Sequence, residues 1–429
     1  MEEYQSYSKK VRDLLKEILQ EKKISDNRLT SIHHILNGES KSVLEKVVSP
    51  SSLKKDGVFF TGEKYAHQLV EPILGEINKK SKIIDINCGT ADLLLPLTKV
   101  LPIESDLKST LKLWGNILFG QDIHEPFVDL AKSRIAFSAL MRTKSFNLSI
   151  SEVDSLLPNF FATDSLTDHG NVKDASHIIL NPPFTKGIPP LDCQWANGKV
   201  NSAAIYFENC IRSAQSGTRV IAILPEVLRS GSLYENWRQV ISSQTDEVRI
   251  ELLGQFSKSV DIDVFILDVL KTEDSKAKNR WNIPITEGQK VGDYFDVSIG
   301  KVVEYRDPKQ GLLSDFIKPK SVPAWSTITK ISSKRKFQGS LIEPPFVVVR
   351  RTSRKEERFR ATASIVNSDS PVAVENHFIV LKAKEGGLKR CHELFEVLQN
   401  KTTNDWLNQR IRCRHLTKNS VQNIPWDLQ

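Results

Sequence analysis

The run Ile178-Ile179-Leu180-Asn181-Pro182-Pro183-Phe184 limits the fold more than any other stretch of this chain. Its first half is apolar and reads as a buried strand; its second half cannot continue one. Two consecutive prolines offer no amide donors to a ladder, so the chain must leave the sheet in a stiff, extended turn. Such a turn fixes one amide side chain, one free carbonyl and one aromatic face at the carboxyl end of a strand. Open α/β sheets gather their ligands at that end. The rest of the chain then has to supply a cofactor site and a substrate for the turn.

A pocket is suggested upstream. Lys82-Ile83-Ile84-Asp85-Ile86-Asn87-Cys88-Gly89-Thr90-Ala91-Asp92-Leu93-Leu94 reads as a strand, a tight glycine turn and a helix start. Glycine lets the backbone turn sharply and approach a ligand, and the following helix offers free N–H groups. Asp85, at the strand end, suits a cation or a hydroxyl. With a single glycine the signal is weaker than G-x-G-x-x-G. A second strand, Ile117 to Ile123, ends at Asp122, which reads either as a carboxylate for ribose hydroxyls or as a solvated cap of the next helix. That helix is predicted over Glu125 to Met141. A third strand, Asn159 to Leu166, presents Asp164, and Ser176 to Leu180 delivers Asn181. Ahead of them, Phe59-Phe60-Thr61-Gly62-Glu63 precedes a helix predicted over residues 64–80. This stretch reads as a hydrophobic staple and N-cap, or as a small lid whose hydroxyl and amides meet an anion.

Residues 1–55 are expected to be a helical segment for packing or partner contact, with Val11, Leu14, Leu15, Ile18 and Leu19 at helical spacing. A second helix there is predicted over 29–36, ending at Asn37-Gly38. After the catalytic turn, residues 185–201 form either a mobile substrate loop or a passive surface loop. A helix over Ala203 to Ser213, a strand over Thr218 to Pro225 and a helix over 233–241 follow. Strands over 248–253 and 262–270 read as a closing pair at the sheet edge. The βα alternation predicts a doubly wound, mostly parallel α/β sheet for a catalytic domain over 56–272. A polar linker leads to a smaller α+β domain over 273–429, with short strands near 347–351, 363–366 and 378–381 and helices over 388–399 and 405–409.

The net charge of +8 is unevenly spread. From Lys301 onward there are 24 Lys+Arg against 13 Asp+Glu, and before it 36 against 39. A basic region appended to a near-neutral body suits nucleic-acid binding. Arg350, Arg351, Arg354, Lys355, Arg358 and Arg360 cluster there, as phosphate and guanine contacts or as a solvated basic hairpin turn. The five cysteines form no CxxC pair, so neither a zinc site nor a disulfide frame is expected. No apolar run is long enough to span a bilayer, and Met1-Glu2-Glu3-Tyr4 does not begin a secretory leader. A cytoplasmic protein without a metal centre is the expectation.

Taken in order, Phe-Phe-Thr, Asp-x-x-Cys-Gly-Thr, the acidic strand ends and Asn-Pro-Pro-Phe followed by a basic region resemble the DNA adenine (amino-group) methyltransferases of the gamma arrangement, including modification subunits of type I restriction systems. The resemblance covers about Val58 to Lys271 well and the C-terminal part loosely. It implies a Rossmann-like fold that uses S-adenosylmethionine. Phe60, Thr61, Cys88 and Gly89 would line the methionine side, with Asp85 on its ammonium. Asp122 would take the ribose hydroxyls, Ile123 would pack on the adenine ring and Asp164 would bond its edge. Asn181 and the Pro182 carbonyl would accept hydrogen bonds from the target amine, Pro183 would stiffen the turn, and Phe184 would stack on a flipped base. Arg350, Arg351 and Arg354 would contact double-stranded DNA, and a specificity subunit or restriction endonuclease is an implied partner. Three departures stand out: Gly62 and Ile86 replace prolines, and Ala91 replaces a second glycine. Methylation of RNA guanine or protein glutamine, and a catalytically inactive DNA-binding or assembly subunit, remain open alternatives.

Overall fold

The computed structural model describes residues 2–47, 61–167, 172–256, 262–273, 275, 281, 283–284, 286–353 and 357–426. They form two compact units, one of residues 1–225 with 236–281, the other of 226–235 with 282–429.

The first unit is built on seven strands: β1 (Ile83–Asp85), β2 (Leu118–Asp122), β3 (Phe160–Ala162), β4 (His177–Leu180), β5 (Arg219–Pro225), β6 (Thr245–Gln255) and β7 (Asp263–Lys271). Their order is β3-β2-β1-β4-β5-β7-β6. The first five run parallel; β7 is antiparallel to both of its neighbours. This is the doubly wound, mostly parallel α/β sheet that the alternation predicts. Every residue of β1 and β4 is buried, as expected for strands covered on both faces. The expected edge pair exists, but β7 lies inside β6. Residues 257–261, between β6 and β7 in the chain, lie outside the described residues.

The chain steps outward from β1 to β3, then returns to the other side of β1 as β4. That reversal opens a crevice at the carboxyl ends of the two strands. Asp85 pairs with Ile179 across the ladder, so Asn181 emerges just beyond the level of Asp85.

Helices cover both faces. The N-terminal residues form α1 (Glu2–Glu21), α2 (Asp26–Leu36) and α3 (Glu39–Val47), followed by α4 (Glu63–Val70), α5 (Leu107–Ile117), α6 (Glu125–Leu140), α7 (Ile150–Leu156) and α8 (Ser202–Ser213). The helix predicted over 64–80 stops at Val70, because Pro72 removes an amide donor and crowds the preceding turn. Helices α5 and α7 fall outside the sequence expectation. Their start signals are nevertheless local: Asp106 accepts from Ser109 N, and Ser149 with Glu152 forms a capping box.

Tyr4, Val11, Leu15, Ile18, Ile32, Ile35 and Leu44 of α1–α3 share one core with Phe127, Leu130, Ile135 and Phe137 of α6. A buried arginine fastens them. Arg134 of α6 is 1% exposed. It donates to the carbonyls of Ile35 and Leu36 at the end of α2 (3.0 and 3.2 Å) and to Thr90 O, Thr90 Oγ1 and Asp92 Oδ1 of the glycine turn (2.6, 2.9 and 2.6 Å). One guanidinium therefore ties the N-terminal helices to the turn after β1. At the opposite ends of the central strands, His177 meets Glu76 at 3.3 Å and Arg219 forks onto Asp268 at 2.9 and 2.8 Å.

The second unit is α+β. Its strands are β8 (Phe295–Ile299), β9 (Leu312–Ile317), β10 (Thr327–Ile328), β11 (Lys334–Phe337), β12 (Phe346–Arg350), β13 (Ala363–Val366), β14 (Val372–Val374) and β15 (Phe378–Ala383). They form a β8-β15-β12-β13-β10 sheet and a smaller β11-β9-β14 sheet. Side chains alternate across β12: Val347 and Val349 face Leu394, Leu398 and Leu407 of the helices Gly387–Gln399 and Lys401–Arg410, whereas Phe346 and Val348 pack with Val372 and Val374. Arg360, part of the basic cluster in the sequence, is buried, bonded to Ser353 Oγ, Asn408 Oδ1 and Cys413 O (3.0, 2.7 and 2.7 Å). It is a structural strut. Among the described residues no helix is long and apolar enough to cross a membrane, and no group of three or more His, Cys, Asp or Glu is arranged to hold a metal ion.

Replacing Arg134 with methionine leaves Asp92 and several carbonyls without their partner. The expected loss is about 3–5 kcal/mol, read from urea unfolding, with earlier proteolytic release of α1–α3 than in the parent protein.

Candidate active site at the carboxyl ends of the parallel strands

The turn after β4 is held from both sides. Asn181 Nδ2 donates to Thr61 Oγ1 at 2.9 Å, and Thr61 is buried. Asn181 Oδ1 is buried too, but it has no hydrogen-bond partner among the described residues. An unpaired buried acceptor costs roughly 1–3 kcal/mol and is kept where a ligand can satisfy it. Downstream, Pro183 O accepts from Ser202 Oγ at 2.6 Å, and Asn201 caps α8 through Ala203 N at 3.0 Å. The two prolines are thus pinned to the start of α8. The ring of Phe184 stands edge-on to Phe256 with centroids 5.6 Å apart, and Phe256 stacks against Tyr65 at 6.2 Å.

The glycine turn rests on the end of β2. Gly89 N donates to Asp122 Oδ2 at 3.0 Å, His124 N to Asp122 Oδ1 at 2.9 Å, and Cys88 N to Gln121 O at 2.8 Å. Gly89 has φ +49° and Ala91 φ +68°. The left-handed conformation costs an L-residue roughly 1–2 kcal/mol. This explains why the resembled pattern has a second glycine where this chain has Ala91. The alanine methyl is fully buried, which offsets part of that cost. Gly62 has φ +73°, a value closed to proline, so the departure there changes the backbone path into α4. Ile86, the third departure, is a buried core residue.

Two carboxylates carry the electrostatics. Burial pushes the Asp85 carboxyl well above the usual range; a hydrogen bond from Asn87 N opposes this, and the nearby charge of Asp122 adds to it. Asp122 is raised as well, chiefly by burial, with the amides it accepts pulling the other way. Among the described residues Asp85 Oδ2 and Asn87 Oδ1 are buried without partners, as are both polar atoms of the Gln121 side chain. Tyr206 of α8 is pushed up to about 12 by burial, with the charge of Asp164 adding to the effect and a hydrogen bond with Asn87 opposing it. Asp164 is exposed, its Oδ1 accepting from Leu166 N at 3.0 Å, and Ile123 stands 61% exposed. A set of unpartnered acceptors around a glycine turn, beside an exposed isoleucine, fits a ligand with a cationic amine, vicinal hydroxyls and an aromatic base.

Thr61, Asp85, Gly89, Asp122, Asn181 and Phe184 all belong to the first unit. Cys88 lies in the same turn with its side chain packed inward. It is buried, its thiol lies where any side chain at Gly120 would meet it, at 3.1 Å, and burial pushes the thiol pKa well up. Its backbone amide also ties the turn to the end of β2. Phe60 and Arg354 lie outside the described residues. Arg350 donates to Val322 O at 2.9 Å, and Arg351 to Asn376 O at 2.8 Å, both in the second unit. The Thr61–Asn181 bond, Tyr206 beside Asn87, and the Phe256–Tyr65 stack escape sequence reasoning because their partners are far apart in the chain. Gln121 carries a local signal, a polar residue inside an apolar strand.

The N-6 DNA methylase family matches residues 42–283, more than half of the chain. The chain belongs to that family. Among solved structures, that of the DrdV–DNA complex shares the fold at a TM-score of 0.50 with 12% identity, over 95% of this chain and 59% of that one. A modification subunit of a type I restriction enzyme from Vibrio vulnificus aligns at a TM-score of 0.43 with 13% identity, over 59% of this chain and 51% of that one. A class I S-adenosylmethionine-dependent methyltransferase from Listeria monocytogenes aligns at 0.37 with 18% identity, over 64% and 90%. The chain spans little more than half the length of the two restriction-modification structures. No curated protein matches it.

Because the Asp85 pKa is higher in the folded than in the unfolded state, its favourable contribution to folding is present below the unfolded pKa and lost as pH rises through the folded one. Asp85→Asn should therefore stabilise the ligand-free protein at pH 7 and change little near pH ~4, as urea midpoints at the two pH values will report.

Proposed function

We propose that this chain methylates the exocyclic amine of adenine in double-stranded DNA, using S-adenosylmethionine, within a restriction-modification or related defence system. The observation that carries the reading is Asn181 Oδ1, a buried acceptor without a partner at the end of β4, next to the acidic end of β1. Membership of the N-6 DNA methylase family supports it. When bound, S-adenosylmethionine supplies a sulfonium-activated methyl group.

Asp85 would hold the cofactor's ammonium, and Thr61 with the Gly89 turn its methionine end. Asp122 would hold the ribose hydroxyls, Ile123 would pack on the adenine ring, and Asp164 would bond its edge. Asn181 Oδ1 and the Pro182 carbonyl accept hydrogen bonds from the target amine. Two acceptors in that position draw the nitrogen lone pair out of conjugation and aim it. Phe184 stacks on a base taken out of the duplex. A strong general base is not needed, since a sulfonium is an excellent leaving group; orientation and electrostatics are what the residues contribute. Basic residues of the second unit, Arg350, Arg351 and Arg354 among them, would grip the phosphates. A specificity subunit or nuclease would complete the system.

Asn181→Ala is expected to abolish methyl transfer to DNA while leaving S-adenosylmethionine binding measurable by calorimetry; undiminished methylation would sink the reading. Replacing Arg350 and Arg351 by glutamine should weaken DNA binding and lower the slope of log K against log salt by up to about 2. An unchanged slope would move the DNA contact elsewhere.

A further inference from the structure

We propose that Thr61 is a positioning residue for the reaction, its hydroxyl accepting from Asn181 Nδ2 so that Asn181 Oδ1 is the end of the amide offered to the target amine. The inference rests on the reading of Asn181 as that amine's acceptor. An asparagine amide has two ends of almost the same shape and opposite hydrogen-bonding sense. A target amine donates, so only the oxygen end is productive; the nitrogen end would set donor against donor. Here the nitrogen end is already engaged, 2.9 Å from Thr61 Oγ1, and the oxygen end is buried and unpartnered. Donation from Nδ2 also polarises the amide and makes Oδ1 a better acceptor.

The backbone at Thr61 is set for this contact. Gly62, at φ +73°, turns the chain into α4, and its carbonyl accepts from Ala66 N at 3.1 Å. Thr61 is left only 6% exposed. A valine there keeps the shape and removes the acceptor, stranding Nδ2 in a buried site and releasing the amide to reorient.

The test uses the full chain with Thr61→Val and Thr61→Ser. Single-turnover transfer from radiolabelled S-adenosylmethionine to duplex DNA from a host lacking this protein is measured at saturating cofactor, and cofactor Kd by calorimetry. We expect Thr61→Val to slow transfer on the order of 10²-fold, the size of effect that misplacing a reacting group by about 1 Å produces. Because Thr61 also stands at the cofactor's methionine end in the proposed function, the rate is compared only at saturating cofactor, and Thr61→Ser, which keeps the hydroxyl, should restore most of it. A valine variant with parental transfer overturns the proposal. So does one that loses cofactor affinity yet regains the full rate at saturation, or that no longer binds cofactor at all. In the first of these Thr61 acts through the cofactor alone, and in the second it is a structural residue. If the unmodified chain transfers no methyl group to DNA, the proposed function itself falls, and this inference falls with it.

Discussion

The pairing of β1 with β4 is the constraint on which the site depends. Parallel strands adjacent in space but far apart in the chain end side by side, so Asp85 and Asn181 come to the same rim with 95 intervening residues folded elsewhere. The register matters as much as the pairing. A slip of one residue would turn Asp85 to the opposite face and remove the acidic wall from the crevice. Gly89 and Asp122 complete the rim because β2 lies on the other side of β1 and runs on past Gly120, the partner of Asp85, to Asp122.

Against that frame the site is costly to fold. Asp85 and Asp122 are carboxylates held above their ordinary pKa by burial, Ala91 sits in the left-handed region, and several acceptors have no partner. Features of this kind persist only where the surroundings over-determine them. Here the surroundings are the shared core of α1–α3 with α6 and the Arg134 clamp, which bonds the glycine turn and the end of α2 at once. The N-terminal helices are therefore part of the support of the glycine turn.

The aromatic side of the turn has the same logic. Phe184 leaves the sheet on a proline-stiffened path and meets Phe256 at the end of β6, which in turn leans on Tyr65 of α4. Three elements distant in sequence build one apolar wall.

Much of this was legible in the residues themselves. Asn181-Pro182-Pro183-Phe184 forces an exit from a strand because prolines cannot join a ladder, and the turn at Gly89 follows from glycine's access to positive φ. The βα alternation dictated a doubly wound sheet. What the sequence could not determine was which distant groups meet. The Arg134 clamp joins α6 to residues 99 and 98 positions earlier, Thr61 reaches Asn181 across 120, and Tyr65 reaches Gln255 across 190. Arg360 read as one of a surface cluster until its burial made it a strut. Local chemistry sets the conformation of a turn or a strand. Pairing, burial and the spending of each hydrogen bond depend on the whole chain's packing, and only the tertiary structure decided them.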